Sequence, residues 1–333
     1  MGDPAGIGPE IIVKAVLIPE VRSLCTPIVY GDISCMRGAA DSMGLSVREV
    51  TADPDDNAED SEGSIFVLQA TDAGLYGMRL GEISAEAGKA AAQCVIAAAT
   101  AALAGKIDAV VTAPLNKESM ALGGYHYPGH TELLAEVAKT TRYGMLLLSG
   151  SLRVVHVSTH VSLREAIERV RTSRIVDCLR LGYRACRDLG IEAPHIAVAG
   201  LNPHAGEHGL FGSEETEEIA PAIALAASEG IDATGPYPPD TVFARASNGE
   251  FDLVVAMYHD QGHIPVKLHG FDTGVNVTIG LPLIRVSVDH GTAFDIAGTG
   301  IAREQSMVEA IRVAVRMVYA REAQNLSPSI TAT

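Results

Sequence analysis

Three histidines stand where apolar runs give way to polar residues. "RVVHVSTH" ends in His160, "HIAVAGLNPHAGEHG" carries His204, and "LVVAMYHD" runs through His259. Each run reads as a buried strand, and its end is the carboxyl edge of a parallel sheet, where open α/β sheets bind ligands. Three imidazoles gathered there would hold Zn²⁺, Co²⁺, Mn²⁺ or Ni²⁺ and leave positions open for substrate oxygens. Their separations of 44 and 55 residues match no local metal motif, so the inference rests on placement. Taken singly, each histidine is equally consistent with a structural or surface role.

Other polar groups occupy similar places. Asn116 and Lys117 follow "DAVVT". In "YPGHTE", Gly129 precedes His130 and Thr131 at a helix start, which could present backbone N–H groups to an anion or be an ordinary helix cap. Lys267, Asn276 and Arg285 follow the third run; lysine and arginine there would cradle a phosphate, or stand as solvated surface charges. In "VNVTIGLPLIRVSVD", at 275–289, period two puts Arg285, Ser287 and Asp289 on one face, lining a cleft or meeting solvent. The candidate proton acceptors are Lys117, Asp240 and Asp260. Lys117 would need burial to lower its pKa, and Asp240 in "PPDT" sits by a turn, where aspartate is common for local hydrogen bonding. His156 reads as structural and His195 as surface.

The elements that must position these groups alternate. Short apolar runs fall at 27–30, 64–68, 108–111, 154–158, 196–199 and 253–257, with helical segments between them. One helix spans about 84–104 and stops at Gly105, a second starts at Ser162 with a capping-box Glu165, and a third spans about 173–189 and stops at Gly190. Strands separated by single helices imply crossover units and a largely parallel sheet. The 333 residues suit two domains or one large one. A hydrophobic content of 47% supplies the core, built from aliphatic side chains because tryptophan is absent. The net charge of −16 argues against nucleic acid but not against a phosphorylated metabolite in a local basic pocket. Five cysteines with no C-x-x-C suggest neither disulfides nor a cysteine zinc site and fit the cytoplasm. No apolar run reaches the ~18–20 residues of a membrane span, and no signal peptide is visible. The opening "MGDPAGIGPE" is a loop with no strand before it, as in a chain with a shortened start. The acidic run at 52–63 reads as a surface loop. No Rossmann fingerprint, G-x-S-x-G or Walker A motif is present.

Taken in order, "GDPAGIGPE", "TAPLNK", "YPGHTE", "STH", "GLNPHAGE", "PPDT", "YHDQGHIPVK", "GVNVTIGLPLIR" and "DHGTAFDIAG" resemble the 4-hydroxythreonine-4-phosphate dehydrogenase family over essentially the whole chain. "GHTELLAE", "GLFGSEET", "GPYPPDTVF" and "YHDQGHIP" are similar to its branch acting on 4-phospho-D-threonate and 4-phospho-D-erythronate. Two alternatives stand within the family. One is the vitamin B6 enzyme, which acts on 4-phosphohydroxy-L-threonine on the way to pyridoxal phosphate. The other is a relative oxidising an aromatic cis-dihydrodiol carboxylate. The resemblance implies two α/β/α lobes with mixed, largely parallel sheets and an active-site cleft between them, as in isocitrate and isopropylmalate dehydrogenases. The expected lobes are 1–125 plus about 295–333, and 126–294 carrying the metal and phosphate site and the dimer contacts. It implies His160, His204 and His259 as ligands of a divalent metal (Zn, Mg, Mn, Co or Ni), with the site shared across a homodimer. It places His130, Thr131, Lys267, Asn276 and Arg285 on substrate. "HGTAFDIAG" resembles the adenosine-binding loop of the isocitrate and isopropylmalate enzymes, which places Gly291, Thr292 and Asp295 on NAD. The implied reaction is oxidation of a C3 hydroxyl on a 4-phosphorylated four-carbon acid, then decarboxylation of the 3-keto product.

Overall fold

The computed structural model describes residues 1–50 and 64–326; the acidic run at 52–63 lies outside them. In chain order the elements are α1 (Gly8–Val16), α2 (Pro19–Leu24), β1 (Ile28–Gly31), α3 (Ile33–Asp41), β2 (Ser46–Glu49), β3 (Ser64–Gln69), α4 (Ala85–Leu103), β4 (Ala109–Thr112), α5 (Lys117–Leu122) and α6 (His130–Val137). There follow β5 (Gly144–Ser149), β6 (Leu152–His156), α7 (Leu163–Glu168), α8 (Thr172–Asp188), β7 (Ile196–Ala199), α9 (Ala220–Ser228), β8 (Ala233–Tyr237) and α10 (Pro239–Ser247). The chain closes with β9 (Leu253–Ala256), α11 (His259–His269), β10 (Val275–Ile279), β11 (Ile284–Val288) and α12 (Gln305–Leu326).

These elements form two compact α/β units. The first is Met1–Thr141 with Leu281–Val315, and the second is Arg142–Gly280 with Arg316–Thr333. These bounds differ from the lobes expected to divide at 125/126 and near 295. Helix α6 packs on α4, and β11 pairs in parallel with β4, so both belong to the first unit. The end of α12 goes with the second unit, where Arg321 binds Asp188 at 2.7 Å.

In the first unit β1, β3 and β2 form a parallel sheet in that order. Its core is aliphatic, centred on Ile11, Val13, Met36, Ile65 and Val67. The chain start is buried there: the Met1 ammonium donates to the Tyr30 carbonyl at 2.8 Å. Helix α4 is capped by Ser84, whose hydroxyl accepts the Ala87 N–H, and its alanines let α5 approach closely. At Gly88 an added Cβ would lie 1.8 Å from the Ser119 carbonyl oxygen. Gly88→Ala must push the two helices apart and is expected to cost about 1–3 kcal/mol. Urea unfolding measures this; an unchanged midpoint would contradict the contact.

In the second unit the strand order is β10-β5-β6-β9-β7-β8. Strands β6, β9, β7 and β8 run parallel, and β5 is antiparallel to both β6 and β10. Ser162 caps α7 by accepting the Glu165 N–H at 3.2 Å, and α8 ends before Gly190, whose φ is +84°. Buried Ala197, Ala199, Val242, Phe243, Val254 and Ala256 pack beneath the carboxyl ends of β7 and β9.

Candidate metal and substrate site

Strands β6 and β9 are neighbours in register, with His156 opposite Ala256. Their chain continuations deliver His160 and His259, whose ring centroids lie 5.8 Å apart. Gln261 fixes this edge: its Oε1 accepts the Met257 N–H at 2.7 Å, and its Nε2 donates to the Gly200 carbonyl at 2.8 Å. That pair of bonds ties the end of β9 to the loop after β7. His259 Nδ1 and Asp260 Oδ1 are 2.6 Å apart. A carboxylate there selects the tautomer with the proton on Nδ1 and leaves Nε2 as the donor atom, the usual second contact of a metal-binding histidine.

Two histidines not assigned to the site join this edge. His263, one helical turn beyond His259, stacks on it with centroids 3.6 Å apart and planes 12° apart. His156 lies 4.7 Å from His263, is 2% exposed, and has no hydrogen-bond partner for either ring nitrogen among the described residues. Burial, then the charges of His263, His259 and His160, hold its pKa well below the ordinary histidine value. The i,i+4 spacing of His259 and His263 was a usable signal for a shared helix face. Nothing local to His156 was.

His204 is not brought to that pair. It lies in the turn after β7, exposed, with its ring 6.3 Å from that of Phe211. Among the described residues no group of three or more His, Cys, Asp or Glu side chains is arranged to hold a metal ion. One chain thus supplies two of the three expected donors at one edge. Their chemistry fits a divalent cation: two imidazoles, one with its tautomer set by a carboxylate.

Of the expected anion-binding residues, His130, Thr131 and Arg285 lie in the first unit. Arg285 is 2% exposed and donates to Thr112 Oγ1 at 2.7 Å. Burial pushes its pKa down to about 9, opposed by the Glu132 carboxylate. The face of Arg285 and Ser287 is therefore interior rather than solvent-facing, with only Asp289 half-buried beyond it. His130 opens α6, and its Nε2 is buried with no hydrogen-bond partner among the described residues. Burial holds its pKa well below the ordinary value; Arg285, the Met1 ammonium and Lys117 add to the shift. Arg285 and Lys117 both disfavour the protonated form of this imidazole, in a chain of net charge −16.

His130 also makes a stability prediction. Its folded pKa is lowered, so its contribution is full above the unfolded value of about 6.5 and is lost as pH falls below it. Denaturant unfolding at pH 7.5 and 5.5 should show wild type losing more stability on acidification than His130→Gln. Equal losses would contradict a buried neutral His130.

The remaining candidates sort by geometry. Lys117 is exposed at the first position of α5, so the burial expected to depress its amine is not present. Asp240 is exposed in the first turn of α10, and Asp260 is engaged with His259. Lys267 sits in the last turn of α11 with its Nζ 5.6 Å from the Phe271 ring centroid. Asn276 lies in β10 opposite Leu147, and Thr131 is half-buried in α6. Gly291, Thr292 and Asp295 follow β11; the Thr292 carbonyl accepts the Ile7 N–H at 3.0 Å, which pins this loop to the "GDPAGIGPE" turn. Asp3 of that turn was missed as a notable group. It is fully buried, its Oδ1 accepts the Ala5 N–H, and burial raises its pKa.

Residues 23–314 match the family described as "Pyridoxal phosphate biosynthetic protein PdxA". A D-threonate 4-phosphate dehydrogenase from Salmonella typhimurium is 47% identical, over 95% of this chain and 97% of that protein. A 4-hydroxythreonine-4-phosphate dehydrogenase from Beijerinckia indica is 48% identical, over 95% of this chain and 93% of that protein. The crystal structure of a 4-hydroxythreonine-4-phosphate dehydrogenase from Klebsiella pneumoniae superposes with a TM-score of 0.87 at 46% identity, covering 96% of this chain and 98% of that one.

Proposed function

The chain belongs to the pyridoxal phosphate biosynthetic protein PdxA family and is a dehydrogenase of that family, and we propose that it oxidises the C3 hydroxyl of 4-phospho-D-threonate or 4-phospho-D-erythronate with NAD and a divalent metal. The 3-keto acid formed loses CO₂ and leaves dihydroxyacetone phosphate. The observation that carries the reading is the buried Arg285 guanidinium, in the same unit as His130 and Thr131 at the start of α6, a donor set that suits a phosphorylated acid. A relative at 47% identity is named for the threonate substrate.

The proposed roles are these. Arg285 and His130, with Thr131, Lys267 and Asn276, bind the anionic groups of the substrate. A buried guanidinium such as that of Arg285 orients an anion more strictly than a surface charge does. His160 and His259 hold the cation, with Asp260 fixing the His259 ring, and His204 is offered to the site of a second copy in a homodimer. When bound, the cation supplies Lewis acidity that makes the C3 hydroxyl easier to deprotonate and the keto acid easier to decarboxylate. Of the three candidate proton acceptors, Asp260 is engaged by His259, and Lys117 and Asp240 both stand exposed in the first turn of a helix, so all three remain candidates. The 291–295 loop, pinned by Ile7, takes the adenosine end of NAD. No described helix is long and apolar enough to cross a membrane, and the five cysteines are free; both accord with a cytoplasmic enzyme acting on a small metabolite.

Purified, metal-supplemented protein given 4-phospho-D-threonate and NAD should yield NADH, CO₂ and dihydroxyacetone phosphate in equal amounts. NADH without dihydroxyacetone phosphate would overturn the decarboxylation, and no NADH would overturn the substrate. The Beijerinckia indica relative favours a second reading, oxidation of 4-phosphohydroxy-L-threonine to an amino-acetone phosphate.

A further inference from the structure

The turn that carries His204 has an improbable backbone. Residues 204–208 take five successive left-handed conformations, with φ between 41 and 76°. Only Gly206 among them lacks a side chain, so the turn persists only if groups outside it impose it. One carboxylate closes over the start of the turn. Glu215 is 4% exposed and begins a turn of π-helix, Glu215–Ile219, a local widening that recurs at functional sites. Its Oε1 accepts the backbone N–H groups of Leu201 and Asn202, both at 2.7 Å, and its Oε2 accepts Asn202 Nδ2 at 2.9 Å.

The fit is close at both ends of the turn. A Cβ on Gly206 would lie 2.6 Å from Glu215 Oε2, and one on Gly200 would lie 3.2 Å from Oε1 and 2.8 Å from the Ala205 Cα. Glu214 Oε2 adds a second bond to Asn202 Nδ2 at 2.7 Å. The π-turn itself is anchored, because Glu218 Oε2 accepts the Thr172 N–H at 2.6 Å and its hydroxyl at 2.8 Å at the start of α8. A chain of contacts thus runs from a long helix to the turn bearing His204.

We propose that Glu215 is a positioning residue: its carboxylate, closed over Leu201, Asn202 and Gly206, holds the 200–208 turn in the conformation that presents His204. This rests on the reading of His204 as a metal ligand. Two adjacent backbone N–H groups drawn to one charged oxygen fix the direction in which the chain leaves β7. Every residue as far as His204 inherits that direction.

The test uses the full-length protein and two readouts on Glu215→Ala, Glu215→Asp and Glu215→Gln. Hydrogen exchange at the Leu201 and Asn202 amides reports the clamp alone. It should accelerate at least about tenfold in the alanine and aspartate variants, which cannot reach both N–H groups, and less in Glu215→Gln, which keeps an acceptor oxygen. Co²⁺ titration followed by its visible absorption reports the link to His204. Affinity should fall about 10- to 100-fold in the same order, with recovery in Glu215→Gln. If Glu215→Ala does not fold, the aspartate and glutamine variants carry the comparison. Unchanged exchange would overturn the clamp. Faster exchange with unchanged Co²⁺ affinity and spectrum would overturn its link to His204. A wild-type protein that binds no Co²⁺ would instead refute the metal reading, leaving the exchange result to judge the clamp.

Discussion

His204→Ala is expected to lower divalent-cation affinity by more than about 100-fold and to abolish NADH formation with it. Loss of a residue that merely orients a ligand already costs about 10–100-fold, and loss of one of three donors costs more. The geometry adds a sharper test. His160 and His259 share one edge, with rings 5.8 Å apart, and His204 lies elsewhere among the described residues. If His204 serves a second copy, a mixture of inactive His204→Ala and inactive His259→Ala protein forms hybrid dimers. Each hybrid has one intact site and one doubly damaged site. About a quarter of the wild-type sites should return on random mixing, read as bound Co²⁺ and as NADH formation. Full metal binding by His204→Ala would remove it from the ligand set. Loss without recovery on mixing would place all three ligands in one chain.

Arg285→Ala is expected to raise KM for phosphorylated substrate about 10- to 150-fold, the loss of a charge-assisted contact worth ~1.5–3 kcal/mol. The effect should fall on KM more than kcat, because a phosphate remote from the reacting carbon is held equally in the ground and transition states. D-threonate, which has no phosphate, should show no such rise. Arg285 is among the largest fully buried side chains, so truncation also leaves a void. Arg285→Met keeps most of the volume and should show the same KM change with a smaller loss of stability. An unchanged KM in either variant would remove Arg285 from the phosphate site.

Much of the fold was legible because buried parallel strands are short apolar runs, and that signal is strong at Ile196–Ala199 and Leu253–Ala256. It failed where composition and geometry part. The leucine-rich Gly144–Ser149 has no β-branched residue to mark it, and Ala233–Tyr237 contains glycine and proline that read as a loop but are tolerated on an edge strand. The stretch 275–289 is two strands, β10 and β11, joined by a turn at 280–283 whose two leucines hide it in the sequence. Arg285 was placed on a polar face, but period two cannot tell a solvated face from a buried one.

The site divides in the same way. Placement at strand ends nominates His160, His204 and His259, and motif order nominates His130 and Arg285. Which of the three histidines meet in one chain depends on strand adjacency. The neighbouring positions of β6 and β9 cannot be read from a separation of about 100 residues. The buried roles of Glu215, His156 and Asp3 depend on long-range packing and leave no local pattern. Lys117 shows the limit of chemical type alone: its position fits a base, while its exposure does not supply the desolvation that role was expected to need.

The central claim is the substrate, and initial rates of NADH formation by the metal-supplemented protein test it most directly. 4-Phospho-D-threonate, 4-phospho-D-erythronate and 4-phosphohydroxy-L-threonine would be compared at equal concentration. The account predicts rapid turnover of the first two, with dihydroxyacetone phosphate as product. Turnover confined to the third would contradict it and place the protein in vitamin B6 synthesis.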